Sequence, residues 1–504
     1  MTLAQQVTAD TIALVHAAIS GGGLEEMIKA AGFTQPAAGF GGLQNFSLEK
    51  VAANLFPVIT PFRNRIPRRI HEEGGTQANW KAFTAINSMG IEAGVADGNR
   101  GGATSTSSAD YWAAFRQMGL EDFVTFGAQL SAKGFLDLRS RSNTNLLWAL
   151  MIAEELTDIG GNTSMPLGQG NQPSAADVGT GGALAANTTY SVIVAPLTLA
   201  GFMTGNVVSG VRGLVTRTNA DQSVDTYGGG TGKPSANRTV ATASDGNATH
   251  ALNVLTAPTA GAAGYAWFWG PVGAEVLGAI TTINSLVITS AAGGTQTAAS
   301  LGANDNSTNG LVYDGILTQV AKTGSGYWAT MPTGAAGMGT PLTADGEGGV
   351  VEIDAALQWF WDTRRMSPTR IWCNSQERRN ITKKVLMGSA TGSQRFTINS
   401  DQGNLTGGDL VRTYLNKFAM GAAQSLPIEL HPDVPPGTLM FDTDRLPYPI
   451  PGQDELLVKL LRQDYNATDW ALKSRKFESG VYFDGVLQNY APFAFGAISN
   501  IGNG

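Results

Sequence analysis

The side chains best suited to metal binding or nucleophilic catalysis in this 504-residue chain are four histidines, His16, His71, His250 and His431, and one cysteine, Cys373. They are far apart in sequence, and no two share the HExxH spacing that turns a pair of imidazoles toward zinc from one helix face. Each is read as a structural or surface residue. One cysteine cannot form an internal disulfide, and alone it makes no metal-thiolate site. No GxSxG elbow is present to lift a serine above a sheet. The tract YGGGTGKPS at 227–235 looks like a phosphate loop, but Tyr227 stands where the first glycine is required and Pro234 where a hydroxyl would bind magnesium. A flexible loop is the better reading. Gly324 and Gly326 give half a dinucleotide fingerprint, without the third glycine or a ribose-binding acid. Glu154, Glu155, Asp433, Asp442 and Asp444 would suit the paired carboxylates of glycoside chemistry, yet nothing in the sequence places them together. No catalytic, cofactor-binding or metal residue is assigned, so the expectation is a protein that is not an enzyme and needs no cofactor.

Two other constellations point to contact with another molecule. Arg63, Arg65, Arg68 and Arg69 cluster in a proline-containing, extended stretch. They read either as a solvated basic segment or as a contact for phosphate or an acidic partner. Arg378, Arg379, Lys383 and Lys384 in ERRNITKK, 377–384, fall on one helix and read either as a solvated face or as an intersubunit or nucleic-acid-facing patch. Beyond the first cluster, 76–86 and 111–130 read as the arms of a long hairpin, with turn chemistry and few bulky residues at its tip, 88–108. Trp80, Phe83 and Ile86 on one arm, and Tyr111, Trp112 and Phe115 on the other, would be half exposed in a lone subunit. Either the hairpin folds back on its own domain or another chain covers it.

These residues must be positioned by a scaffold, and its most definite element is a helix over 142–160. Ser142 and Asn143 are good N-caps, and Gly160 suits a left-handed close. Leu146, Leu147, Leu150, Ala153, Leu156 and Ile159 form an apolar face, with Glu154, Glu155 and Asp158 off it. From 175 to 305 charge nearly vanishes, and short β-branched runs at 189–198, 207–216, 251–255, 263–269 and 285–289 alternate with turns, indicating a sandwich of about seven strands inserted into another domain. Helices return with Val350, Ile353, Leu357, Phe360 and Trp361, ending before Pro368. A buried strand, 369–373, follows, then a helix from the Asn374/Glu377 capping pair to Met387, stopped by Gly388. Residues 427–442 read as a hairpin around Pro435-Pro436-Gly437, and 474–498 as long returning strands. The N-terminal 40 residues, with amphipathic stretches at 8–19 and 24–31, read as an arm.

Composition sets the class. The chain has 64 glycines, 42% hydrophobic and only 14% charged residues, and a net charge of −7. Low charge suits strands, tight turns and surfaces covered by copies of the same chain. The acidic balance argues against a protein that grips nucleic acid over its whole surface, leaving local patches open. The first lysine is Lys29, so 11–19 does not read as a secretory signal, and the expectation is a soluble protein kept inside a cell.

The order of these parts resembles the major capsid proteins of tailed bacteriophages of the Hong Kong 97 type. The resemblance is carried by the glycine-rich arm, the long hairpin, GLEDFVTFGAQLSAKGFLDL, the helix ending in Gly-Gly-Asn, SPTRIWCNSQERRNITKKVL and DWALKSRKFESGVYFDGVLQNYAPFAFG. It implies an α+β capsid fold with an N-terminal arm (1–70), an extended loop (71–110), a peripheral domain with a spine helix (111–174 and 306–360), an axial domain (361–470) and return strands (471–504). Residues 175–305 resemble an inserted immunoglobulin- or fibronectin-like module. The implied work is self-assembly into hexamers and pentamers, a shell enclosing double-stranded DNA without sequence-specific binding, with possible scaffold, portal and decoration partners and no membrane. The implied location is the virion, after assembly in the host cytoplasm. Arg63, Arg65, Arg68, Arg69, Trp80, Phe83, Arg100, Tyr111 and Trp112 are the candidate intersubunit contacts. No charged coiled-coil prefix is present, so a separate scaffold is expected. The tip 88–102 has no lysine, so isopeptide crosslinking there is not expected. The alternatives are an encapsulin-like cellular compartment and a polysaccharide-active enzyme with a sandwich module.

Overall fold

The computed structural model describes residues 56–503, apart from 73, 87–92, 134–135, 323–325, 388–410, 420–423 and 448–454. The amphipathic stretches expected at 8–19 and 24–31, part of the hairpin tip, Gly324 and the helix stop at Gly388 lie outside these residues. The chain divides into two compact units, a smaller one of 1–60, 119–152 and 465–482 and a larger one of 61–118, 153–464 and 483–504. No described helix is long and apolar enough to cross a membrane.

In the smaller unit, Thr125 caps a short helix, Phe126–Ser131, by accepting from Ala128 N at 3.2 Å. Phe126 stacks on Phe477 at 4.7 Å, and Arg139 lies over the Phe477 ring. The stretch 111–130, expected as one extended arm, is therefore three elements: strands Thr106–Ala114 and Arg116–Thr125, then this helix. The break between the strands falls at Phe115, whose ring is buried and whose amide donates to Thr76 O.

The spine helix runs Leu138–Gly160, four residues earlier than its expected start. Asp137 caps it, accepting from the amides of Arg139 and Ser140, while Ser142 instead donates its hydroxyl to Asp122. Gly160 does not take the left-handed conformation expected of it. A Cβ there would lie 2.4 Å from Leu199, so close packing is the reason for glycine. The burial pattern also departs from expectation. Leu146, Leu150 and Ile159 are buried, but Leu147, Ala153 and Leu156 are only half-buried, whereas Glu154, Glu155 and Asp158 are wholly enclosed.

The larger unit holds a six-stranded sheet in the order Tyr327–Thr330, Gly496–Ser499, Leu439–Asp442, Arg370–Cys373, Gln424–Leu430, Thr413–Asn416. Residues 427–442 are thus not a hairpin: Arg370–Cys373 lies between the two strands, parallel to one and antiparallel to the other. Helix Val351–Arg364 ends with Arg365 in the left-handed region, φ 54°, and sets Phe360 against Phe441. Helix Ser375–Met387 opens with Glu377 N donating to Asn374 Oδ1 at 3.0 Å. Between 174 and 288 a three-stranded and a four-stranded sheet share one core of Leu184, Val192, Val254, Trp267, Trp269 and Ile288 with their neighbours. Of the expected strands there, 207–216 is displaced. Asn206 and Gly210 bridge in a turn, and the strand is Leu214–Thr218, paired with Val224–Gly228. Elsewhere in this unit Arg68–Ile70 pairs in parallel with the start of Leu457–Asp469, in register Arg68 to Lys459.

Candidate assembly surface

Among the described residues, strands Gln77–Ile86 and Thr106–Ala114 pair only with each other, in register Trp80 to Tyr111. A two-stranded ribbon is marginal in water by itself, so its root must be held and its faces covered. Alternation assigns the faces. Ala78, Trp80 and Ala82, with Ala113, Tyr111 and Ala109, form one side, where Trp80 stacks on Tyr111 and meets Tyr490 edge-on at 6.2 Å. The opposite side carries Phe83, the Lys81–Asp110 pair and Trp112, and it is open. Phe83 is 83% and Trp112 67% exposed. Arg100 is exposed in the tip, beyond the turn at Gly98.

The chain entering the ribbon is anchored by the acids of the spine helix. Glu154 accepts from Arg63 Nε at 2.7 Å and from Arg68 at 2.8 Å. Glu155 accepts from the amides of Phe62 and Arg63 and from His431 Nε2. Because Asp433 N donates to His431 Nδ1 at 3.0 Å, the ring proton belongs on Nε2, facing Glu155. Asp158 accepts from Tyr313 Oη at 2.8 Å and from Lys459. Burial pushes Asp158 up to about 6, against the opposing charge of Lys459. Further along, Arg65 pairs with Asp442 and Asp444, Arg68 also reaches Asp464 at 2.7 Å, and Trp372 Nε1 donates to Asp442 at 3.0 Å.

Of the residues singled out by sequence, Arg63, Arg65 and Arg68 are thus brought onto carboxylates of their own chain, and Arg69 is exposed beside them. Trp80 and Tyr111 are brought together on the ribbon, while Phe83, Trp112 and Arg100 face outward. Of the acids considered for glycoside chemistry, Glu154, Glu155, Asp442 and Asp444 are engaged by arginine, lysine, histidine, tryptophan and amide donors. The tract 227–235 packs tightly: Gly230 has φ +96°, and a Cβ on it would lie 2.5 Å from Gly201 N. His250 lies buried between Asp177 and Asp245, whose hydrogen bonds to both ring nitrogens raise its pKa. Among the described residues no cluster of three or more histidine, cysteine or acidic groups is set to hold a metal ion. Sequence reasoning missed His431, Lys459 and Tyr313 as anchors. The available signal was the run of three acids within five residues of a helix lacking nearby cations, which demands partners from elsewhere.

No protein-family model matches the chain, and no curated protein matches it. Among solved structures, the capsid of Myoviridae phage XM1 superposes with TM-score 0.38 at 9% identity, covering 92% of this chain and 100% of that one. The capsid of a native GTA particle gives TM-score 0.42 at 9% identity, over 93% and 100%. The SrpI encapsulin of Synechococcus elongatus PCC 7942 gives 0.23 at 14% identity, over 38% and 57%. At TM-scores this low none of these likenesses fixes a fold or a function.

Proposed function

We propose that this chain is a shell-forming subunit, a major capsid protein of the Hong Kong 97 type whose copies close around the double-stranded DNA of a tailed phage. The observation that carries the reading is the open face of the ribbon, where Phe83 and Trp112 are left to solvent on strands that, among the described residues, pair with nothing else. Large aromatics on a projecting two-stranded element are stable in water when a second molecule buries them. The acid-anchored root supports the same reading, since it fixes where the ribbon starts. In this account 71–110 is the extended loop lying on a neighbouring copy, and 175–305 is an inserted immunoglobulin-like module. The work is assembly without catalysis, in the virion, with scaffold, portal and decoration proteins as partners.

Sedimentation velocity of the purified chain, from dilute to concentrated solution, tests this. The expected result is a shift from subunits to rings and fast-sedimenting shells. A single monomer boundary at every concentration would overturn it.

A further inference from the structure

The four cations of helix Ser375–Met387 contrast with the arginines that anchor the ribbon. Arg378, Arg379, Lys383 and Lys384 fall within seven residues, and among the described residues none reaches a carboxylate. The one acid of the helix does not offset them. Glu377 is buried, and its carboxyl turns inward to accept from Gly437 N at 3.0 Å and from Asn380. Burial also pushes that group up to about 7, so its charge is partly lost at neutral pH. Arg379 and Lys383 are exposed and four residues apart, about 6 Å along the axis on one helix face. They flank an open depression of about 450 Å³ whose floor is Asn380 and Thr382 and whose rim includes Asn503. Among the described residues no acidic side chain lines it.

Resting on the reading of the chain as a genome-enclosing shell, we infer that this depression binds the phosphodiester backbone of double-stranded nucleic acid without regard to sequence. Charge complementarity selects this occupant. A duplex presents one phosphate charge for about every 1.7 Å of axis, so two cations about 6 Å apart are neutralised together wherever the backbone crosses them. An isolated carboxylate would engage one. The net charge of −7 disfavours contact with such a polyanion over the whole surface, so contact is expected where cations gather locally, as they do here.

The test is fluorescence anisotropy of a labelled random-sequence 30-base-pair duplex with the purified full-length chain over a salt series. The wild type is compared with Arg379→Ala/Lys383→Ala. The double variant should bind roughly tenfold more weakly at 0.1 M salt, with a log–log salt slope smaller by about 1.8. The same loss is expected on a second duplex of different sequence. The charge-conserving Arg379→Lys/Lys383→Arg should bind as the wild type does, which separates lost charge from a damaged fold. Unchanged affinity and slope in the alanine variant would overturn the inference. So would weakened binding of polyglutamate with duplex binding intact, which would assign the patch to an acidic protein segment. Shell assembly, scored by sedimentation of the same variants, decides the underlying reading, and duplex binding decides this inference.

Discussion

Lys459 and Asp158 form an ion pair in which neither side chain is more than 1% exposed. Tyr313 closes it, donating to Asp158 while its ring lies 4.1 Å from Lys459 Nζ. Two charges taken out of water are held by each other, by this hydroxyl and by Glu154, 3.5 Å from Lys459 Nζ, and removing one strands the other. Lys459→Met should therefore cost about 3–5 kcal/mol of unfolding free energy, whereas Lys459→Met/Asp158→Asn should recover most of it. Denaturant titration of both variants checks this. Equal losses would show that the pair is not what holds this site.

Glu377 sets a pH dependence whose sign follows from burial. Its pKa rises from 4.5 to about 7 on folding, so the folded chain holds the proton more tightly than the unfolded one. The stability this group contributes is complete below the unfolded value and is lost as pH rises through the folded one. Relative to Glu377→Gln, the wild type should lose on the order of 1–3 kcal/mol between pH 4.5 and 8. Urea midpoints of the two proteins at pH 5 and pH 8 measure this. A difference that does not change with pH would contradict the assignment.

The tract around Gly230 is a packing device. Gly230→Ala must adopt φ +96° with a Cβ against the backbone of Gly201, and should cost about 2–4 kcal/mol. Gly246→Ala, at φ +75° with nothing within 4 Å, should cost only about 1 kcal/mol. Thermal melts of the two rank them, and equal shifts would remove the packing argument.

How much of this was legible in sequence depends on how local the cause is. Turn residues and β-branched runs placed strands such as Thr189–Leu197 and Gly264–Gly270 within a residue or so, because alternation and turn chemistry are written locally. The exposed aromatics of the ribbon could be read from Phe83 and Trp112 for the same reason. The burial of Glu154, Glu155 and Asp158 could not. Their partners are 91 residues upstream at Arg63, 276 downstream at His431 and 301 downstream at Lys459, and periodicity alone sends acids to the solvent face. Likewise, 427–442 looked like a hairpin because the intruding strand Arg370–Cys373 comes from far earlier in the chain.

The ribbon's outer face should matter to association and not to folding. Phe83→Ser and Trp112→Ser remove side chains that touch little within the subunit, so each should change its stability by no more than about 0.5 kcal/mol. Burial of a large aromatic in an interface is worth about 2 kcal/mol or more, so each variant should need at least roughly tenfold more protein to assemble. Light scattering against concentration follows the onset. An unchanged onset in both variants would mean that the face is not buried between copies.

Negative-stain electron microscopy of the purified full-length chain at high concentration asks most directly whether identical copies close over one another. Rings and closed shells built from this chain are the expected result. Fields of separate monomers at every concentration, with no ring or shell, would contradict it.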